Sequence, residues 1–578
     1  MRQRNIRFYA INCGRLAFAF FLCLVASIAN AQSDSNSARF VAPRFNGLNS
    51  NAPDVQAGTS DDASTLANEE TATEDENVLT NVELSEDETI SAAKVDVTRG
   101  EQSNGVQREP YDVYKENGVY FEDWDEPEVV LVFTGIMNGY IEPCGCAGME
   151  RMKGGLSRRQ TFLKDLRDNR GWKTILIDAG QITVGFGVQE ELKFDMAMNA
   201  FQLMQYDVVG IGKSELRFPA PFLLMYTAPT SSSTQSYFTS ANVGVYGFHP
   251  TYTLPFKIVE RGGKKISVTS VICHNEEVER RDENIHYEDP EIKLNEVMAK
   301  LRKENCDSNV LIVHGPEEEM ERLAKKFPFF DYIVASDGPS EPPAELREIN
   351  DNQKVVEVGE KGKYAIVVGY FKDGSTRYQR VALDSRYESS PEITLLMKDY
   401  QSILKGLIVS KGIKRGLGIN PASSPMADKL GKYVGAQKCR SCHEDAYRTW
   451  AKSKHATAWK SLTETANPPR DFDPECIGCH VVGWNGIQHF PYVDGFETEE
   501  TTPRLANVGC ESCHGPGERH IELELGDDEK AQERARALMR LGDEVRKVCY
   551  SCHDGDNSPE FEFETYYPLI DHSEEDDE

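Results

Sequence analysis

The chain has 578 residues, 94 acidic against 64 basic side chains, and a formal net charge of −30. That length allows two or three domains. A negative excess of this size argues against nucleic acid and anionic membrane surfaces as partners, because both repel it. It keeps the protein soluble and suits a basic redox partner.

Arg2, Arg4 and Arg7 form a basic start, residues 16–28 an apolar run, and Ala29-Asn30-Ala31 a small-residue cleavage signature. This is the pattern of a secretory signal. We expect residues 1–31 to be a signal peptide, and the protein to be periplasmic or otherwise exported. The apolar run is short for a bilayer, so no integral membrane span is expected after cleavage; an uncleaved anchor is the alternative. Residues 32–110 are rich in Ser, Asn, Asp, Glu and Thr, with Phe40 and Phe45 as their only aromatics. Such a stretch buries too little apolar surface to offset its ordering entropy, and it reads as a disordered acidic linker.

Residues 111–390 alternate strand and helix patterns. Short apolar runs at 129–133, 174–177, 208–211, 266–272, 310–313, 332–334 and 364–370 predict buried strands. Residues 190–204 have helical periodicity. The pattern is that of an α/β layered domain with ligand-binding loops at its strand ends. Its motifs resemble the metal-dependent phosphoesterase domain of periplasmic 5′-nucleotidases of the UshA-like group. The resemblance rests on Thr134-Gly135, on Gly139 to Pro143, and on Gly154 to Arg159. Asp178-Ala179-Gly180, Tyr206 to Gly212 and Ala241-Asn242-Val243 complete it.

It implies a two-metal site of Asp, His and Asn side chains activating a water. This chain departs from that set. Ile136 and Asn138 stand where the family has its first Asp and His. Gln181 replaces the bridging Asp, and Lys213-Ser214 replaces an Asn-His pair. Ser336-Asp337-Gly338-Pro339 replaces the Gly-His-x-His loop, and His314 alone matches. An Ile and a Lys cannot ligate a hard dication, so hydrolysis is not expected from the fold likeness.

Just beyond that loop lies Cys144-Gly145-Cys146. A C-x-C pair can close a strained, easily reduced disulfide. Arg151, Lys153, Arg158 and Arg159 could favour a thiolate. The pair is a candidate redox or metal site. The alternative is a bracing disulfide, with Cys273 and Cys306 giving three pairings overall; Cys273-His274 also suits a metal.

Residues 391–412 have helical periodicity, and 416–425 are rich in Gly, Pro and Ser, so 391–430 read as a connecting helix and linker.

Residues 431–578 carry the strongest pattern. Eight of the 14 cysteines form four C-x-x-C-H motifs: Cys439, Cys442 and His443; Cys476, Cys479 and His480; Cys510, Cys513 and His514; Cys549, Cys552 and His553. Two thiols at this spacing reach the two vinyl groups of one haem, and the adjacent His supplies the proximal iron ligand. A zinc ribbon would not require a His after every second Cys. Four covalently bound c-type haems are expected. His455, in the stretch Trp450 to Ala456 that reads as a helix, His520 and His572 are candidate distal ligands, and His489 is the fourth. A complete set favours electron transfer, and an open iron would allow small-molecule chemistry.

The region resembles the cytochrome c-554 family of multihaem cytochromes. The match covers Tyr433-Val434-Gly435, Trp450 to Ala458, Val508 to Gly517 with its C-E-S-C-H-G-P-G stretch, and Asn557 to Phe561 with Ile570 and His572. It implies a compact, mostly helical tetrahaem domain with stacked haems and mostly bis-His irons. The expected fold is therefore multidomain: a metallophosphatase-like α/β sandwich followed by a helical multihaem cytochrome c domain. The leading function is electron transfer between redox donor and acceptor proteins, with a docking or thiol-redox module attached. An oxidoreductase with an open haem iron, a working phosphoesterase and a chemically inert binding module are the alternatives.

Overall fold

The apolar runs pair into two six-stranded sheets in the computed structural model, which describes residues 111–145, 148–229 and 236–572. The signal segment, the acidic linker, Cys146 and the acidic tail from residue 573 onward lie outside the described residues. The strands are β1 (Val129–Thr134), β2 (Thr174–Asp178), β3 (Val208–Gly210), β4 (Phe238–Thr239), β5 (Val243–Val245), β6 (Lys257–Arg261) and β7 (Lys264–Ile272). They continue as β8 (Ile285–Tyr287), β9 (Ser308–His314), β10 (Tyr332–Ala335), β11 (Arg347–Asn350), β12 (Gln353–Glu357), β13 (Tyr364–Tyr370) and β14 (Thr376–Ala382). One sheet has the order β14-β13-β1-β2-β3-β4 and the other β11-β12-β10-β9-β7-β6. β1 to β4 run parallel, with Leu131 opposite Ile175, and β13 closes on β1 antiparallel, with Val132 opposite Val367.

Strand alternation sends successive side chains to opposite faces. Leu131, Phe133, Ile175 and Ile177 of the first sheet meet Ile266, Val268, Val310 and Ile312 of the second in one buried cluster. On the other face of the second sheet, Val271, Leu311, Val313 and Ile333 pack on the helices Pro290–Leu301 and Glu317–Lys326. Both faces of the central strands are thus covered, which explains their continuous apolar runs. Truncating the fully buried Phe133 to Ala would cost about 3–5 kcal/mol through the cavity it leaves.

All seven expected strands form. The strands missed by pattern are short or carry polar residues, as in Arg347–Asn350 and Thr376–Ala382. The expected helix at 190–204 runs Val188–Met204. The connecting helix is longer than expected, Pro391–Leu417, and is broken at Gly412 (φ 72°). Its Met397, Tyr400 and Leu404 are buried, and it packs on Val188–Met204.

The C-terminal region consists of short helices around one small apolar cluster that includes Tyr433, Trp459, Ile477, Trp484 and Phe496. His455, expected on a helix, lies in the 3₁₀ turn Lys454–Thr457 because Glu444–Lys452 ends at an extended Ser453 (ψ 160°). The described residues of both regions fall in one compact unit. Among them, no helix is long and apolar enough to cross a membrane.

Candidate haem and thiol sites

Each C-x-x-C-H motif winds through a helical turn. Cys476 to His480 lie in Pro474–His480 and Cys510 to His514 form a helix of their own. The first motif closes with His443 N–H on Cys439 O at 3.0 Å and the fourth with His553 N–H on Cys549 O at 2.9 Å. A helical turn puts residues three apart on one face, so each thiol pair faces one way. The first and third motifs adjoin, with Cys439 beside Cys510, and Cys479 likewise lies beside Cys552 of the fourth.

Three histidine pairs face one another. Ring centres are 6.2 Å apart for His443 and His520, 6.0 Å for His455 and His553, and 5.9 Å for His514 and His572. Metal–imidazole bonds of about 2 Å on either side of one ion put ring centres on the order of 6 Å apart. The pairs therefore fit a shared iron, and each joins a motif histidine to a candidate distal one. Nδ1–H donates to a carbonyl in His480 (Ala458, 2.7 Å), His514 (Met539, 2.7 Å) and His572 (Ile570, 2.9 Å). That fixes the ring and leaves Nε2 for a metal. Nδ1 of His520 is buried and has no hydrogen-bond partner. Burial holds His455, His480, His520 and His553 below the ordinary histidine range, His553 at about 4, so the rings are neutral and able to ligate. Among the described residues no three His, Cys, Asp or Glu side chains converge as a zinc ribbon requires.

His489 is placed differently. It occupies a turn with φ 55°, and its Nδ1 stands 3.3 Å from where a side chain on Gly478 would begin. It packs on the helix that bears the second motif.

Pattern reading missed Glu511, the second residue of the third motif. It is 3 % exposed, and its carboxylate accepts from Gly517 N at 2.7 Å, Val434 N at 2.9 Å and Gly435 N at 2.6 Å. Gly435 caps the helix Ala436–Cys439, so this one carboxylate ties the first motif to the third. A Glu between two cysteines carries no periodic signal; only the C-E-S-C-H-G-P-G resemblance pointed near it.

The loops at the strand ends of the α/β domain contain other chemistry than two-metal ligation. Gln181 Nε2 donates to Asn138 Oδ1 at 3.0 Å, and Lys213 Nζ reaches both oxygens of Asp337 at 2.6 and 2.8 Å. Buried Glu215 accepts from the backbone of Gln181, Ile182 and Gly212. His314 is fully buried on β9 with Nε2 at 2.7 Å from Ala179 O, and burial pulls it down to about 4.

The cysteine loop leads into the haem region. Cys144 is disulfide-bonded, while Cys273 and Cys306 are free, so the pairings that use them do not form. Burial raises the Cys273 thiol to about 11, which makes it inert. His274 is exposed and pairs with Glu279 at 3.1 Å. Arg470 Nη1, from the haem region, donates to Pro143 O at 2.9 Å. Burial raises the nearby Glu142 carboxyl to about 7, against the pull of the Ser157 N–H, Arg470 and Arg158. Further ties across the same junction join Lys361 and Lys363 to Asp556, Arg151 to Glu560, and Lys193 to Glu475.

Together these define a helical region of four C-x-x-C-H motifs joined to an α/β sandwich. The family described as cytochrome c554 and c-prime matches residues 438–515. Cytochrome c-554 of Nitrosomonas europaea is 37% identical over 97 residues, which cover 15% of this chain and 39% of that protein. The chain thus spans well under half of that relative. The matched residues hold the first three C-x-x-C-H motifs. Solved structures similar to this chain include the sulfate thiohydrolase SoxB of Thermus thermophilus (14% identity, TM-score 0.39, covering 49% of this chain and 62% of that one). A calcineurin-like phosphoesterase of Bacillus subtilis, YfkN, is similar at 16% identity and TM-score 0.37, covering 47% and 96%.

Proposed function

We propose that the chain is an exported tetrahaem cytochrome that passes electrons between redox proteins, with a thiol-redox site at Cys144 and Cys146. The three histidine pairs at 5.9, 6.0 and 6.2 Å carry this reading. Cys439, Cys442, Cys476, Cys479, Cys510, Cys513, Cys549 and Cys552 would hold four haems by thioethers. His443, His480, His514 and His553 would be proximal ligands, with His455, His520 and His572 distal. When bound, haem supplies one-electron transfer at a potential set by its ligands and surroundings. The residues of this chain hold the rings of His480, His514 and His572 through Nδ1 and bring the first motif to the third and the second to the fourth. The thiol reading is supported by the Cys144 disulfide, which stands next to the residue that Arg470 holds. Intact mass and haem quantitation of the exported protein test the first claim. Four haems per chain are expected, and fewer would overturn it.

A second reading, an oxidoreductase with one open iron, draws support from the place of His489 against Gly478. A high-spin component in the ferric spectrum would favour it. Phosphoester hydrolysis is not proposed, because Lys213 and Asp337 pair with each other, and Asn138 with Gln181, at the positions that metals would need.

A further inference from the structure

Lys193 lies on the helix Val188–Met204 of the α/β domain, and its side chain is 1% exposed. A buried ammonium is retained only where carboxylates pair with it. One partner is Glu190 at 3.3 Å, on the same helix; the other is Glu475 of the haem region. Glu475 stands in the first turn of Pro474–His480, the helix that bears Cys476, Cys479 and His480. The cap of that helix, Asp473, is gripped from the same side: Gln189 Nε2 and Gln401 Nε2 each donate to it at 3.0 Å. The cysteine loop also makes room, since Lys193 Nζ lies 3.3 Å from where a side chain on Gly139 would begin.

We infer that Lys193 is a positioning residue through which the α/β domain fixes the second C-x-x-C-H helix and sets the reduction potential of the haem attached there. The inference rests on the haem reading proposed above. A positive charge in a weakly polarisable surround favours the reduced state of a nearby redox centre. Glu190, Glu475 and Asp473 bring three carboxylates to the same junction, and Lys193 offsets part of their charge. Removing Lys193 takes away the cation and leaves Glu475 facing the site unpaired, so both effects act in one direction. The α/β domain would then be the outer wall of one haem site, which gives a physical reason for the joining of the two domains.

The test is a spectroelectrochemical titration of the full-length, haem-loaded protein and three variants, with peptide mass spectrometry of Cys476 to His480 confirming attachment. In Lys193→Met one component moves to lower potential, with its reduction equilibrium falling at least tenfold, and the others stay in place. Lys193→Arg restores it. Glu475→Gln, at a side chain that is 42% exposed and tolerant of change, moves the same component to higher potential. An unchanged titration in Lys193→Met with haem attached overturns the inference alone. So does an equal shift in the Arg variant, which would show packing without a charge effect. A second-motif peptide without haem overturns the haem reading first, and this inference with it.

Discussion

Arg470 and Pro143 join the haem region to the cysteine loop: the guanidinium Nη1 donates to the proline carbonyl at 2.9 Å. Pro143 precedes the disulfide-bonded Cys144, and Arg470 also acts electrostatically on Cys476 of the second motif. The cysteine loop and the second C-x-x-C-H motif therefore share one arginine. Opening a disulfide consumes two electrons, with protons taken up at the sulfurs, and multihaem proteins deliver electrons singly.

This predicts that Cys144 gains an alkylation label when a mild one-electron donor reduces the haem-loaded protein. The oxidised protein should remain unlabelled, and Arg470→Ala should slow the gain several-fold. Mass spectrometry of the labelled peptide reads the result. A disulfide that stays closed in both samples would make the pair a brace and the domain a docking module.

The distal ligands can be tested one at a time. His455→Ala, His520→Ala and His572→Ala each remove one partner of a pair whose ring centres are 5.9 to 6.2 Å apart. Each should turn a single low-spin ferric component high-spin and leave the others in place, as read by electron paramagnetic resonance. His489→Ala should leave the low-spin count unchanged, because that ring packs on Gly478 of the second motif's own helix. Loss of a low-spin component in that variant would make His489 a ligand.

Glu142 predicts a pH dependence. Burial raises its carboxyl from 4.5 to about 7, and the groups facing it are Arg158 of its own domain, Arg470 of the haem region and the Ser157 N–H. The folded protein then binds a proton between those values that the unfolded chain has released. Stability contributed by this group is present at low pH and falls as pH rises from about 4.5 to about 7. Glu142→Gln should flatten that slope in denaturant titrations and should be the more stable form at pH 8. An unchanged slope would show that solvent reaches the carboxylate.

The strands that position these groups were legible wherever both faces are buried, as in 129–133 and 310–313, because a continuous apolar run needs no partner to be recognised. β11 and β14 were not, since Glu348 and Arg380 there make edge or partly exposed strands out of charged residues. The four motifs could be read from spacing alone; His455, His520 and His572 were picked out by number, and each stands beside a motif histidine. His455 was placed on the wrong kind of helix, because Ser453 ends the preceding one by backbone geometry that no pattern reports. The ties between domains, Lys193 to Glu475 and Gln401 to Asp473, join residues far apart in the chain, and a single sequence carries no sign of them.

Glu511 makes the last prediction. Its carboxylate satisfies the buried N–H groups of Val434, Gly435 and Gly517, and it thereby holds the helix bearing Cys439 against the third motif. Leaving a buried donor unpaired costs about 1–3 kcal/mol each, so Glu511→Ala should lose at least about 3 kcal/mol of stability if no water enters. Glu511→Gln keeps one carbonyl oxygen and should lose less, which separates the hydrogen bonds from the bulk of the side chain. The loss should come with weaker magnetic coupling between the haems proposed at the first and third motifs, because Glu511 of the third motif holds Gly435, the cap of the helix that bears Cys439. A variant that loses stability but keeps the coupling would confine Glu511 to the fold; one that loses both would make it the residue that sets the distance between those two haems.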